Sequence, residues 1–330
     1  MAVSRYCLIA PCRDEARFLE RTVASIASQT VLPSLLVLVD DGSTDATPEI
    51  ADRLARTHAW IRVVHRQDRG RRSVGPGVID AFYAGLEAVV PQDYEFLGKI
   101  DMDLELPPTY FETVIGLMRS DPRIGAVSGK PYYYRGEAGR ASLVPEPCGQ
   151  DICIGALKFY RTECFLEIGG FVRAVMWDGI DAHTSRMKGW KNFATDAPEL
   201  RFVHLRPMGS SHQGILEGRR RWGRGQWFMG TGLIYMLASA VMRLAARPAV
   251  LGSIYMLRGW LEGWYHCYPR YQAAGFREFL HRYHRLVLRH GKRRACELVL
   301  APRDQASGAR APAGTSGRFP GASVSTAQGN

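Results

Sequence analysis

The sequence predicts an α/β protein with a mostly parallel central sheet, helices on both faces of that sheet, and a helical C-terminal extension. Three observations predict this class. Short apolar runs alternate with helix-spaced segments through the first two hundred residues. Two of those runs end abruptly in aspartates. Beyond about residue 213 the alternation stops, and arginine-rich and long apolar segments replace it.

The alternating part contains five short apolar runs that we interpret as buried strands. They lie at residues 6–10, 34–39, 61–65, 96–100 and 124–128. Apolar residues with helical spacing occupy 16–29 and 78–90, between successive strands. This strand–helix rhythm is what favours parallel strand pairing, because a parallel connection needs a crossover segment.

The chain is expected to divide into three parts. Residues 1–212 form the α/β domain, and residues 213–300 form a basic, apolar helical extension. Residues 301–330 contain mainly Ala, Gly, Ser and Pro, so they cannot bury enough apolar surface to fold and are predicted to be disordered. Within the first part, residues 130–150 hold three consecutive tyrosines, Tyr132 to Tyr134, in a predicted long loop or irregular hairpin that contacts substrate or simply packs.

Charge and cysteine content narrow the class of partner. Lys and Arg outnumber Asp and Glu by 43 to 32, a formal charge of +11 that suits a nucleoside diphosphate, a nucleic acid or an acidic membrane surface. No recognisable nucleic-acid-binding module accompanies that charge, so we expect no nucleic-acid partner. The seven cysteines lack metal or redox spacing and fit reduced thiols. With no secretory signal at the start, a cytoplasmic location is expected.

Two apolar runs in the extension raise the question of membrane contact. Residues 227–242 and 248–257 are each shorter than the ~20 residues that span a bilayer as a helix. They could pack on the α/β domain, lie in the membrane interface, or form a shallow re-entrant hairpin. Tryptophans, tyrosines and basic residues over 255–271 suit the interfacial arrangement, which would place the protein at the inner face of the cell membrane.

The most informative residues are the aspartates that follow two of the predicted strands. Residues 35–47 read LLVLVDDGSTDAT, and residues 96–105 read FLGKIDMDLE. The carboxyl ends of parallel strands meet at one edge of a sheet, where ligands bind. Asp101 and Asp103 are two residues apart, so they share a strand face and can converge on one cation. The pattern predicts a site for a divalent cation and the phosphates that it carries.

Together with the turn APCRDE after the first strand, these motifs resemble family 2 glycosyltransferases of the GT-A fold and bacterial surface-polysaccharide type. The resemblance covers roughly residues 4–230. It implies an inverting, metal-dependent hexosyltransferase that moves a sugar from a nucleotide-sugar, most simply a UDP-sugar, to a glycan or glycolipid acceptor in exopolysaccharide biosynthesis. The residues it implies for nucleotide binding are Pro11, Arg13, Glu15, Asp40, Asp41 and Asp101.

The resemblance also assigns individual roles around the nucleotide and the metal. Asp41 would accept a hydrogen bond from the base edge, and Asp40 would orient the turn. Asp103 would bind Mg²⁺ or Mn²⁺ directly, while Asp101 contacts the ribose or a metal-bound water. Glu105 would also reach the metal, as a polar residue does at this position in polyprenyl-phosphate sugar synthases.

A general base is implied after the turn Gly169-Gly170-Phe171, where the family places an acidic pair at the start of a helix. Asp178 is the first candidate and Asp181, one helical turn later, is the second. Trp177 precedes Asp178, so the usual Glu-Asp pair is absent here.

The arginine-rich segment resembles a signature of processive polysaccharide synthases. Arg219 or Arg221 would clamp the diphosphate, and Trp222 would stack on an acceptor sugar. Gly218 stands where that signature has glutamine, which argues against processive synthesis.

Two other readings of the same fold stay open. In a polyprenyl-phosphate glycosyltransferase the acceptor is an ionised phosphate and needs no general base. In a non-catalytic scaffold the nucleotide would bind without turnover. A dinucleotide oxidoreductase is excluded, because Pro11 to Glu15 follow the first strand where a glycine-rich fingerprint should stand.

Overall fold

The computed structural model describes residues 5–70, 75–136, 142–206, 214–245 and 248–300. These residues form two sheets and a set of helices that cover the larger sheet and extend beyond it. The predicted disordered tail over 301–330 lies outside the described residues.

The strands of the described residues all lie in these two sheets. Their bounds are β1 Tyr6–Cys12, β2 Leu35–Asp40, β3 Ile61–His65, β4 Phe96–Ile100, β5 Leu104–Glu105, β6 Ile124–Gly129, β7 Pro131–Arg135, β8 Ser142–Pro145, β9 Leu157–Arg161, β10 Lys191–Thr195 and β11 Phe202–His204. The central sheet has the order β10-β6-β9-β4-β1-β2-β3. Only β9 runs antiparallel to its neighbours there, so the mostly parallel sheet and its five predicted strands are confirmed.

Helices cover both faces of that sheet, as predicted. Their bounds are α1 Leu19–Ala27, α2 Thr47–Thr57, α3 Pro76–Leu86, α4 Tyr110–Ser120, α5 Thr162–Glu167, α6 Trp177–Met187, α7 Ile215–Met229, α8 Leu233–Met242, α9 Leu251–Tyr265 and α10 Phe276–Val299. Consecutive residues of β1 illustrate the two layers. Leu8 packs with α1 and α4 on one face, and Ile9 packs with α3 on the other. The alternation follows from the two-residue period of a strand.

A second, four-stranded sheet has the order β5-β11-β7-β8. Within it β7 and β8 pair antiparallel, so the hairpin alternative predicted for residues 130–150 is correct and the long loop is not. Tyr132 is buried in this hairpin, whereas Tyr134 is exposed. The pairing of Leu104 with His204 joins β5 to β11 and brings the chain after residue 200 next to the end of β4.

The helical extension packs through a glycine-lined crossing of α7 and α9. A Cβ atom on Gly223 would lie 2.0 Å from the carbonyl oxygen of Met256, and one on Gly259 would lie 2.0 Å from that of Arg220. Larger side chains would therefore push the two helices apart. At this crossing, Glu262 of α9 accepts hydrogen bonds from three arginines, Arg220, Arg224 and Arg258.

Burial alone would raise the pKa of Glu262, but these three arginines outweigh it and lower that pKa to about 2. The carboxylate therefore stays ionised at neutral pH and neutralises part of the arginine-rich helix α7. Of the helices in the described ranges, none has the length and apolar content needed to cross a membrane.

The extension also contacts the α/β domain directly. The rings of His183 in α6 and Tyr283 in α10 have centroids 4.8 Å apart. Lys292 of α10 pairs with Asp151 at 3.0 Å. These contacts fix α10 against the helix that carries both candidate general bases.

Candidate active site

Three strand ends meet at one edge of the central sheet. Strand β1 pairs in parallel with β2, where Cys12 lies opposite Asp40. It also pairs in parallel with β4, where Ile9 lies opposite Lys99. The turns that follow these three strands therefore lie side by side, as the sequence predicted.

The turns after β1 and β2 are locked to each other by hydrogen bonds. The amides of Asp14, Glu15 and Ala16 donate to Ser43 Oγ, Thr47 Oγ1 and Asp45 Oδ2 at 3.0, 2.8 and 3.1 Å. Asp14 adopts a left-handed φ of 55°, which aspartate tolerates better than most residues. Side chains of the second turn therefore already use these three amides.

The two aspartates after β2 have different surroundings. Asp40 accepts a hydrogen bond from the Ser43 amide at 2.9 Å, so its carboxylate holds the turn. The Asp41 carboxylate pairs with Arg66 and Arg69, two arginines that sequence reasoning did not single out. Arg13 supports the same turn, donating to the Asp41 carbonyl oxygen at 2.8 Å.

Asp103 is the centre of the site. Arg206 Nη2 lies 2.9 Å from Asp103 Oδ2 and 2.6 Å from Glu15 Oε1, so one guanidinium joins carboxylates from two different turns. His204 Nε2 lies 3.8 Å from Asp103 Oδ1, and its Nδ1 is 3.1 Å from Glu146. The amide of Leu205 donates to the Asp103 carbonyl at 2.8 Å, which fixes this segment beside the aspartate.

The electrostatics of Asp103 suit a cation. Burial raises the pKa of Asp103, and the charge of Asp101 adds to that rise, although His204 and Arg206 oppose it. Among the described residues Asp103 Oδ1 is buried with no hydrogen-bond partner. Burying a carboxylate oxygen without a hydrogen-bond partner costs free energy. A hard divalent cation bound to that oxygen would offset this cost. The residues therefore fit a Mg²⁺ or Mn²⁺ ion shared with phosphates.

The other predicted metal ligands are placed differently. Asp101 pairs with Lys99, and its amide donates to the Ala156 carbonyl at 2.8 Å. Glu105 forms a half-exposed ion pair with Arg21 at 2.5 Å, which turns it toward the surface. Within the described ranges, no three His, Cys, Asp or Glu side chains form a group that could hold a metal by themselves. Mg²⁺ commonly uses one or two carboxylates with phosphates and water, so a full protein cage is not required.

The two candidate general bases in α6, Asp178 and Asp181, have different surroundings. The side chains of Asp181 and Lys158 are completely buried. Lys158 Nζ lies 2.8 and 2.6 Å from the two carboxylate oxygens of Asp181. The Tyr160 hydroxyl also donates a hydrogen bond to Asp181, at 2.5 Å. Burial raises the pKa of Asp181 to about 6, against the opposing charge of Lys158. Asp181 is thus a core residue whose carboxylate is already paired, which makes it the less suitable of the two candidate bases.

Asp178 lies closer to the strand ends. Its carboxylate borders Gly155, where a Cβ atom would lie 3.4 Å from Asp178 Oδ2. The Gly155 carbonyl accepts a hydrogen bond at 2.8 Å from Lys99, the lysine that pairs with Asp101. A short chain of contacts therefore connects Asp178 with the acidic segment after β4.

The residues predicted for the diphosphate and acceptor lie on α7. Arg219 lies beside Gly252 of α9, and Arg221 follows on the same helix. Trp222 packs in the helical extension, where Arg243 lies over its ring at 5.1 Å. The described contacts do not bring these three residues together with Asp101 and Asp103, so their roles stay predictions.

A cavity of about 230 Å³ adjoins the site on the side of the β7–β8 hairpin. Its lining includes His204, which also contacts Asp103. The remaining lining residues are cationic, aromatic or apolar: Arg17, Phe18, Arg21, Tyr133, Tyr134 and Leu205. The tyrosine run singled out in the sequence thus borders a pocket next to the predicted metal ligand.

Known proteins are similar to this chain over the part that contains the predicted nucleotide and metal residues. Residues 7–167 match the model of the family described as glycosyl transferase family 2. The chain carries a family 2 glycosyltransferase domain. The match includes the turns after β1, β2 and β4 and ends before Asp178, so it covers the predicted nucleotide and metal residues but not the candidate base.

Curated relatives of this glycosyltransferase domain match over shorter stretches. A putative glycosyltransferase, EpsH of Bacillus subtilis, is 28% identical over 98 residues, which is 30% of this chain and 26% of that protein. The poly-beta-1,6-N-acetyl-D-glucosamine synthase of Staphylococcus aureus is 24% identical over 121 residues, 36% of this chain and 27% of that protein. The chain therefore matches about a quarter of the length of each of these relatives.

A solved structure supports the fold assigned to this chain. GalNAc-T7 with UDP, GalNAc and Mn²⁺ superposes with a TM-score of 0.53 at 15% identity. The superposition covers 92% of this chain and 60% of that one. At this identity the likeness establishes the GT-A fold and nothing finer.

Sequence reasoning missed the residues that complete the site from outside the motifs. Arg206 follows β11, and Arg66 and Arg69 follow β3. For the last two, the sequence offers only the basic character of the segment that follows β3. For Arg206 there was no signal, because its proximity to Asp103 depends on the pairing of β5 with β11.

Proposed function

We propose that the protein is an inverting, metal-dependent glycosyltransferase. It would move a sugar from a nucleotide-sugar, most simply a UDP-sugar, to a hydroxyl group of a glycan or glycolipid acceptor in surface-polysaccharide synthesis. One observation carries the proposal: Asp103 and Glu15, from the turns after β4 and β1, converge on Arg206, while Asp103 Oδ1 keeps a buried, unsatisfied lone pair. The S. aureus relative, a poly-beta-1,6-N-acetyl-D-glucosamine synthase, supports the acceptor class.

The metal would be held by Asp103, with Asp101 beside it. When bound, a divalent cation neutralises the charge that develops on a departing diphosphate. The GalNAc-T7 neighbour holds UDP and Mn²⁺ in the same fold, which supports Mn²⁺ as the probe to use. Glu105 is less suited to this role, because its carboxylate already pairs with Arg21.

The nucleotide would lie along the locked turns. Pro11, Arg13 and Glu15 border the base and ribose, and the Asp41 carboxylate keeps lone pairs for a base N–H beyond those used by Arg66 and Arg69. Because Asp40 holds the turn through Ser43, it would act on the nucleotide indirectly. The Arg206 guanidinium lies where it could contact a phosphate once the cation shares Asp103.

In the chemical step, the acceptor oxygen forms a bond to the anomeric carbon as the bond from that carbon to the diphosphate oxygen breaks. The nucleoside diphosphate leaves with the electron pair, and the hydroxyl proton passes to the Asp178 carboxylate. Attack from the face opposite the diphosphate inverts the anomeric centre. The helix position of Asp178 is fixed by Lys158, which donates to its carbonyl oxygen at 3.0 Å.

The direct test is ligand-dependent thermal stability. The chain is screened against UDP-, GDP- and dTDP-sugars with and without Mn²⁺, and UDP and UMP serve as the matched pair that differs by the second phosphate. At ligand concentrations near 100 Kd we expect a UDP-sugar with Mn²⁺ to raise Tm by about 5 °C, because binding to the folded state alone stabilises it. No stabilisation by any nucleotide, or equal shifts with UDP and UMP, would reject the proposal, and stabilisation without turnover would identify a scaffold.

A second candidate is a polyprenyl-phosphate glycosyltransferase. The observation that favours it is the pair of arginines, Arg17 and Arg21, in the cavity next to Asp103, because guanidinium groups match phosphate oxygens. In this case the acceptor is already ionised and Asp178 has no proton to remove.

The Asp178→Asn variant separates the two candidates. For a hydroxyl acceptor we expect kcat to fall by about 100-fold or more, since general base catalysis typically contributes that much. For a phosphate acceptor turnover should stay within a few-fold of wild type. The measurement is the release of nucleoside diphosphate at saturating donor, with each class of acceptor supplied in turn.

A further inference from the structure

The exposed apolar side chains of this protein are concentrated in one part of the chain. Of the twenty large apolar residues that are exposed among the described residues, sixteen lie in the extension, within residues 214–300. The α/β domain, although longer, contributes only Leu32, Val90, Tyr134 and Leu143. Scattered exposed apolar residues are normal, but a concentration of this kind marks a surface that contacts something.

Helix α8 contributes one stripe of this surface. Its exposed residues are Leu233, Ile234, Leu237 and Val241, which helical geometry places on one side. The adjoining side carries Met236 and Ala240, which are buried against the rest of the extension. Ile234 is 76% exposed, so the stripe is not simply the edge of a core. Helix α8 is apolar on both sides, yet only one side is covered.

Helix α9 repeats the arrangement and packs beside α8. Its exposed apolar residues are Leu251, Ile254, Leu261, Trp264 and Tyr265. A hydrogen bond of 2.9 Å from Ser253 Oγ to the Ala240 carbonyl joins the two helices. Met242, the last residue of α8, is also exposed, at 81%. We call the exposed apolar residues of 233–265 the apolar surface.

The charge of the chain is segregated in the same segment. Residues 214–300 contain 15 Lys and Arg against 4 Asp and Glu, a net charge of +11, whereas residues 1–213 contain 25 against 27, a net charge of −2. Some of the basic side chains lie within the apolar surface, as Arg258 does on α9. Others lie on α10, where Arg282, Arg285 and Arg289 are exposed on one side and Arg293 is exposed beyond a break in the helix at Gly291.

From this juxtaposition we infer that the apolar surface docks on the headgroup region of an anionic lipid bilayer. Apolar and aromatic side chains would enter the interface while the surrounding arginines contact lipid phosphates. With 10 and 15 residues, α8 and α9 are too short to span the bilayer and long enough to lie along it. A second copy of the chain fits less well, because two segments of +11 would repel each other.

Vesicle flotation of the full-length protein tests the inference. We expect the protein to float with phosphatidylcholine vesicles that contain 30% phosphatidylglycerol, and to bind pure phosphatidylcholine at least about tenfold more weakly, because the charge supplies part of the affinity. The triple variant Ile234→Ser/Met242→Ser/Ile254→Ser should lose at least about tenfold in partitioning, since each buried methylene contributes to it. The matched control is Leu32→Ser/Val90→Ser/Leu143→Ser, which removes the same kind of exposed side chain from the α/β domain and should bind as wild type does.

A second measurement does not depend on the variants. Brominated lipids should quench the fluorescence of Trp264, and the Trp264→Phe variant should lose that part of the quenching. Light scattering with size-exclusion chromatography gives the mass in solution. The inference is rejected if the protein ignores vesicles of either composition, if both triple variants bind alike, or if the apolar surface proves to be a dimer interface that the first triple variant dissociates. The test does not involve turnover, so its outcome is independent of the proposed reaction.

Discussion

Replacing Asp103 by Asn is expected to lower kcat/KM for sugar transfer by about a thousandfold while leaving the fold intact. The side chain keeps its shape, but the buried negative charge that faces Arg206 and would bind the metal is removed. Charge stabilisation by a metal contributes several kcal/mol to such a step, which corresponds to roughly this factor. The measurement is steady-state release of nucleoside diphosphate, together with the Tm shift produced by Mn²⁺ in the presence of UDP.

Glu105→Gln is the matched control for this change. The two carboxylates are two residues apart, but Glu105 pairs with Arg21 at the surface. We expect its turnover to stay within about threefold of wild type and its metal-dependent stabilisation to persist. Should Glu105→Gln lose as much as Asp103→Asn, the metal would have to be assigned to Glu105, and the central role given to Asp103 would be wrong.

Replacing Lys158 by Met is expected to destabilise the protein by about 3–5 kcal/mol. The change leaves the Asp181 carboxylate buried without its cation, and both side chains are completely inaccessible to solvent. The pKa of Asp181 is already raised to about 6 by burial, and losing Lys158 raises it further. The folded variant would then bind a proton that the unfolded chain releases above about pH 4, so the loss of stability grows as the pH rises. Urea unfolding at pH 5 and pH 8 measures both effects.

A surface ion pair provides the comparison. Lys191 pairs with Asp121 at 2.5 Å, but both side chains are partly exposed, so Lys191→Met should cost at most about 1 kcal/mol. The double variant Lys158→Met/Asp181→Leu should recover much of the lost stability, since no charge remains buried. A loss for Lys158→Met of only about 1 kcal/mol, as small as that expected for a surface pair, would show that the buried pair is unimportant. Activity retained by the double variant would in turn agree with a structural role for Asp181.

The predictable part of this protein is the part that local patterns encode. Five strands, the parallel sheet and the cluster of turns after β1, β2 and β4 follow from apolar periodicity and from carboxylates placed directly after strands. The hairpin of β7 and β8 was only one of two alternatives. Tyr132 is buried and Tyr134 is exposed, a difference that three identical residues in a row cannot reveal.

The site was predictable only where its residues follow strands. Asp178 and Asp181 are equivalent in the sequence, three residues apart on one helix. They differ in the structure because Lys158 and Tyr160, which come from β9, surround Asp181 alone. A helix pattern cannot indicate which of two neighbouring carboxylates meets a buried lysine from a distant strand.

The sequence by itself determined the fold class, the family and the strand-end carboxylates, because strand alternation and short motifs are properties of neighbouring residues. Only the tertiary structure decided which charges meet. Arg206 and Glu15 are 191 residues apart in the chain, yet they form one ion pair beside Asp103. Likewise, only helix packing decided that α8 and α9 each cover one apolar side and leave the other exposed. Long-range contacts of this kind depend on the whole fold, since the local sequence around each residue does not indicate which distant residue it will contact.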